Sequence, residues 1–347
     1  MSRPLSTALV SLPMLLLFCT VVFFAPPRWG PSSGLASSID KHHRLETAAS
    51  PKIVLIGGSN VSVGVDSARI QAALRRDIVN MGLGASLGLR YMMEEVKDDI
   101  HPGDLIVVLP EYDYFCQTTK GETNAQFDGC YDLLHLWQVS PGVRKYIAAS
   151  YMGAWFGCLN VIDDFQHLIS NKGRLYVQVL RQEARFGFSK PLLDLCHPRD
   201  SIYLHRDNFN SFGDFVGHLN LPSPGFGNWR VVDFQEFRPN EEAFQALSDF
   251  GKRMSVKHVT VLLIPPPIPG HQVWQNRVDE IYQRLRSLDG VTTLGTPARY
   301  TFPDDQFFDG PYHLNSKGRS VRTSRIINDL SHYLSGKALC AATNARM

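Results

Sequence analysis

One serine, one histidine and one aspartate stand where a parallel sheet would bring them together. Ser59 follows a short apolar, β-branched run, Lys52 to Ile56, closed by Gly57 and Gly58, which reads as a buried strand entering a turn. Asp309 and His313 lie far along the chain, in Phe307-Phe308-Asp309-Gly310-Pro311-Tyr312-His313-Leu314-Asn315, just before a last helical segment. Both segments fall where strands of an open α/β sheet end, the edge on which such sheets carry their chemistry. A serine hydroxyl is a weak nucleophile at its own pKa. An imidazole that takes its proton, and a carboxylate that fixes the tautomer of that imidazole, make it a strong one. The pattern assigns Ser59 as nucleophile, His313 as general base and Asp309 as the group that orients it, with Asp304 and Asp305 as competing carboxylates. The plainer alternatives are a serine that caps a turn, a structural histidine and an aspartate that caps a helix.

The elements that must position these residues alternate along the chain. A helix-like run, Asp66 to Asp77, follows the first strand; Ile78 and Val79 end a second; and Gly82, Gly84 and Gly88 loosen the next turn. A helix over about Leu87 to Asp99 carries Leu89, Met92, Met93 and Val96 on one face, and after a turn at His101-Pro102-Gly103-Asp104 a third strand, Leu105 to Leu109, ends in Pro110-Glu111-Tyr112. The pattern resumes with a helix (Asn240 to Met254), a strand (Val256 to Ile264), a helix (His271 to Leu288), a short strand (Val291 to Leu294) and a last helix (Ser320 to Leu334). Uniformly apolar strands between helices predict an α/β fold, a three-layer sandwich around a central parallel sheet. Residues at about 116–235 break the alternation. Helical, aromatic-rich stretches give way to a Gly-, Pro-, Asn- and His-rich segment from Cys196 to Arg230, an insertion that covers or shapes the site.

Composition narrows the classes. With 44% hydrophobic and 20% charged residues and a net charge of +2, the chain has a globular core and no electrostatic case for nucleic acid. No spacing suggests a metal site or a cofactor. Ala8 to Ala25 is apolar apart from Ser11 and Thr20 and is closed by Pro26-Pro27-Arg28. Residues 1–28 therefore read as a membrane anchor, with a cleaved signal segment and a buried helix as the alternatives. Residues 29–50 then form a linker, 51–335 the α/β domain with its insertion, and 336–347 a tail. A single-pass anchor with little chain before it places the C-terminal domain outside the cytoplasm. Cys116 and Cys130 bracket a polar loop and would suit a local disulfide in an oxidising compartment.

These blocks resemble the SGNH/GDSL hydrolase superfamily over roughly residues 52–115 and 240–334. The likeness is to its membrane-anchored bacterial branch, related at a distance to acetyltransferase-type proteins of exopolysaccharide export and to the D-alanyl transfer protein of teichoic-acid systems. Gly57-Gly58-Ser59-Asn60 matches the first block, Gly-Asp-Ser, with glycine for aspartate; Asn80 to Ser86 loosely matches the second; and Asp309 to His313 matches the last, Asp-x-x-His, with three intervening residues for two. The resemblance implies a Ser-His-Asp triad and an oxyanion hole. Gly84 is its expected amide donor, Gly82 and Ala85 are rivals, and Asn60 is a candidate side-chain donor. Where the third block supplies an oxyanion-hole asparagine, this chain has Glu111, which can donate only when protonated. The implied function is a serine esterase or O-acyltransferase acting on an acyl ester, such as that of a cell-surface polysaccharide, with no cofactor. The competing reading is a non-catalytic SGNH-like protein that binds carbohydrate or serves assembly.

Overall fold

The computed structural model describes residues 37–117, 205–225, 238–270 and 275–344, all within one compact unit formed by residues 32–152 and 200–347. Its centre is a five-stranded parallel sheet of β1 (Ile53–Ile56), β2 (Ile78–Asn80), β3 (Leu105–Val108), β4 (Thr260–Leu263) and β5 (Val291–Thr293), in the order β2-β1-β3-β4-β5. The helices are α1 (Ser37–Thr47), α2 (Ser59–Gly64), α3 (Ser67–Leu74), α4 (Leu89–Val96), α5 (Glu241–Val256), α6 (Gln275–Arg286) and α7 (Ser316–Asn344).

Side-chain alternation explains the layers. Successive strand residues point to opposite faces, and β1, β3 and β4 are apolar at nearly every position. Val54, Ile56, Ile106, Val108, Val261 and Leu263 share one core with Leu45 of α1 and with residues of α4, α5 and α6. Ile53, Leu55, Leu105, Val107 and Leu262 share the other with Ile70 of α3 and Ile326 and Leu330 of α7. The result is the predicted α/β arrangement, a parallel sheet with helices on both faces.

The chain runs from β1 to one edge and returns to β3 on the other side of β1, so the strand order reverses between β1 and β3. Ile53 pairs with Leu105 and Ile56 with Val108, so the two carboxyl ends lie level. A crevice forms outside such a switch point, and the chain places Ser59 after β1 and Glu111 after β3.

Some elements differ from the sequence reading. Residues 37–47, expected to close a linker, form α1. Its buried positions, Ser38, Lys41, His42 and Leu45, have helical spacing but are mostly polar, so a hydrophobic pattern does not reveal them. The apolar run from Val256 does not begin a strand: Val256 ends α5 with 82% exposure, and β4 starts at Thr260. The last helix starts earlier, where Asn315 Oδ1 accepts from Gly318 N at 3.1 Å, and it continues to Asn344 through most of the expected tail. The apolar run at Ala8 to Ala25, Cys130, and all of the insertion except residues 116–117 and 205–225 lie outside the described residues. Among the described residues no helix is long and apolar enough to cross a membrane.

The 205–225 segment is sewn to the sheet edge. Asn80 N donates to Phe212 O at 2.9 Å, and Asn80 Nδ2 donates to Asp214 Oδ1 at 2.8 Å. Asp214 also accepts from Ser67 N at 2.9 Å and from Arg319 Nη2 at 3.0 Å. Lys41 reaches in from α1 and donates to Asn80 O at 2.8 Å and to Gly213 O. Burial drags the Lys41 ammonium down from 10.5 to about 7, against the opposing pull of Asp214, Glu95 and Asp40. The folded pKa lies below the unfolded one. Between these values the unfolded chain holds a proton that the folded chain has released, so stability rises with pH across that window. Urea denaturation from pH about 7 to about 10 should show this rise in the wild type and a flatter profile in Lys41→Met.

Candidate active site

Ser59 is the first residue of α2, immediately after the Gly57-Gly58 turn that ends β1. The opposite side of the site is a tight loop before α7. Phe307 bridges Leu314, and Phe308 N donates to His313 O at 2.8 Å, which brings both ends of the Asp309–His313 segment together. Within it Tyr312 adopts the left-handed region at φ 71°, an uncommon conformation for an aromatic residue. This turn leaves the Asp309 and His313 side chains in contact.

The three predicted residues form a continuous chain. His313 Nδ1 lies 2.8 Å from Asp309 Oδ1, and His313 Nε2 lies 2.7 Å from Ser59 Oγ. An ionised carboxylate only accepts, so Nδ1 carries the ring proton, and Nε2 is left to accept from the serine hydroxyl. The His313 and Asp309 side chains are 19% and 21% exposed, so the site is open to a solute. Of the rival carboxylates, Asp305 faces outward and pairs with Lys317 at 2.7 Å.

The expected oxyanion donors divide. Gly82 N donates to Asn80 Oδ1 at 2.9 Å, which ties it to the sheet edge. Asn60 is fully buried; its Nδ2 donates to Leu109 O at 3.0 Å and to Glu111 Oε1 at 3.1 Å, while its Oδ1 accepts from Arg322 Nη2 at 2.8 Å. The Asn60 amide is thus consumed by the core and does not face the crevice. Glu111 lies beneath the serine turn, 3% exposed, rather than in the open site. Burial pushes its carboxyl above the usual range, against the neighbouring Tyr114 hydroxyl and Asn60. Gly84, partly exposed, stands at the head of the Ala85–Leu87 turn, and Ser59 opens a helix whose first N–H groups lack helical partners. Among the described residues no group of three or more His, Cys, Asp or Glu side chains could hold a metal ion.

One residue beside the site escaped the sequence reading. His218 stacks on Phe215 with centroids 5.4 Å apart, meets Phe308 edge-on at 5.2 Å, and lies with Nε2 3.1 Å from Leu314 O. It therefore backs the loop that carries His313. No periodicity marks it, because it comes from a loop whose partners are distant in sequence. Compared with known proteins, the chain matches no family model and no curated protein.

Burial lowers the His218 imidazole from 6.5 to about 4, more than its hydrogen bond to Leu314 O raises it. The unfolded chain therefore takes up a proton between these values that the folded chain refuses, and stability falls as pH drops through the window. His218→Phe keeps a ring there but cannot titrate. Thermal unfolding from pH about 6.5 to about 4 should fall less steeply in this variant than in the wild type.

Proposed function

We propose that the chain is a serine-dependent, ester-processing enzyme of the SGNH/GDSL type. The observation that carries this reading is the Ser59–His313–Asp309 relay at the carboxyl edge of a parallel sheet, beside its switch point. In the proposed reaction Ser59 Oγ attacks an acyl carbonyl carbon as its proton passes to His313 Nε2. Asp309 stabilises the imidazolium, and the Ser59 and Gly84 N–H groups hold the developing oxyanion. His313 then returns the proton to the departing alkoxide, leaving the acyl group on Ser59. Water or a second hydroxyl, activated by His313 in turn, releases it, which makes the enzyme an esterase or an O-acyltransferase respectively.

The apolar run at Ala8 to Ala25 supports a membrane tether with the α/β domain outside the cytoplasm. Such a tether suits an acylated cell-surface polysaccharide. Residues 116–235 are proposed as an insertion in the α/β domain. The second reading, a non-catalytic SGNH-like carbohydrate-binding or assembly protein, is favoured by one observation: the Asn60 amide and the Glu111 carboxyl are both used in the core, so neither supplies a side-chain donor to the oxyanion.

Labelling with a fluorophosphonate separates the two. Wild-type protein should be labelled at Ser59, and Ser59→Ala and His313→Ala should not. Asp309→Asn, which permits the wrong imidazole tautomer, should react about 10⁴-fold more slowly. A folded wild-type protein that resists labelling would establish the non-catalytic reading.

A further inference from the structure

We infer that Glu111 is the positioning residue of the serine turn, acting on Ser59 through a buried Glu111–Asn60–Arg322 relay. The inference rests on the reading of Ser59 as a nucleophile. Asn60 directly follows Ser59, and polar groups of its main chain and side chain are all held. Its N–H points to Glu111 Oε1 at 3.5 Å, and its carbonyl accepts from Arg322 Nη1 at 2.5 Å. Its side-chain amide bridges the same two residues, with Leu109 O as a third partner. The residue that follows the nucleophile is therefore gripped from the segment after β3 on one side and from α7 on the other.

Two glycines make room for the grip. A Cβ on Gly58 would lie 2.5 and 2.6 Å from the two Glu111 carboxyl oxygens, and one on Gly64 would lie 2.7 Å from Arg322 Nη1. Glycine at position 58 and glutamate at position 111, two of the departures from the resembled blocks, are thus one feature. The glutamate carboxyl occupies the space that a side chain at 58 would need.

The relay does not behave like a device for stability alone. Arg322 is fully buried, and among the described residues its Nε has no hydrogen-bond partner. The Tyr114 hydroxyl lies beside the Glu111 carboxyl and donates to Ala85 O at 3.0 Å. Well-packed apolar residues commonly match or exceed the stability of buried ionic groups. What they cannot reproduce is the directional hold on the Ser59–Asn60 peptide. Tyr114 also reaches the loop of the second proposed oxyanion donor, through Ala85 O.

The test separates the maximal labelling rate from probe affinity in fluorophosphonate kinetics, with thermal unfolding of each variant as the control for folding. Glu111→Gln keeps an acceptor for Asn60 and should label close to the wild-type rate. Glu111→Ala should lower the maximal rate about 100-fold, the cost of misplacing a reacting group by about 1 Å, with probe affinity unchanged. Wild-type labelling by Glu111→Ala, or a loss that matches its unfolded fraction, would overturn the inference. If wild-type protein is not labelled, the catalytic reading fails but the positioning claim is still decided by ¹⁵N spectra of His313. Loss of the Ser59–His313 hydrogen bond in Glu111→Ala, with its retention in Glu111→Gln, supports it, and an unchanged signal in Glu111→Ala overturns it.

Discussion

The level, parallel pairing of β1 with β3 is the constraint on which the rest of this structure depends. Leu55 pairs with Val107 and Ile56 with Val108, so the turn that follows each strand emerges at the same height. Because the strand order reverses there, a crevice is left above the pair. Ser59 enters it from the first strand. Glu111 arrives from the second and passes beneath the serine turn. A shift of one register position would turn every side chain to the opposite face, and neither the apolar layers nor these contacts would survive it.

Above this frame, the molecule joins distant segments by buried polar groups as well as by apolar contacts such as those of Phe209 and Phe215. Asn80, Asp214, Lys41 and Arg319 tie the 205–225 segment to the β2 edge and to the start of α7. Asn60, Glu111 and Arg322 tie the serine turn to β3 and α7. An edge strand with unpaired N–H and C=O groups is a liability, and Phe212 and Lys41 cover that of β2. Such contacts are directional. They add less net free energy than their number suggests, since desolvation opposes each one, but they specify a single arrangement of loops that would otherwise have several.

The site follows the same logic. The His313 loop has no regular secondary structure of its own. It is held by the Phe307–Leu314 bridge, by the left-handed turn at Tyr312 and, from behind, by His218. An uncommon backbone conformation persists only where the surroundings over-determine it. Here it sets Asp309 and His313 in hydrogen-bonding contact across four sequence positions.

The sequence alone determined the sheet and singled out the three residues that the fold brings into hydrogen-bonding contact. The strands at Ile53, Leu105 and Thr260 are apolar and β-branched enough to read as buried on both faces, and α3, α4 and α5 are signalled by periodicity and by the glycines and prolines around them. Ser59, His313 and Asp309 were legible because each follows an element whose end is marked locally. Tertiary structure decided what lies around them. Helix α1 buries lysine and histidine on its inner face, so polarity hides it. Asn60 and Glu111 are polar residues beside a site, and no local pattern distinguishes a group that faces the crevice from one that faces the core. That distinction depends on Arg322, far along the chain, whose guanidinium claims the Asn60 carbonyl and amide. Hydrophobic periodicity records which face of an element is buried, whereas the partner of a buried polar group is chosen only when the chain has closed around it.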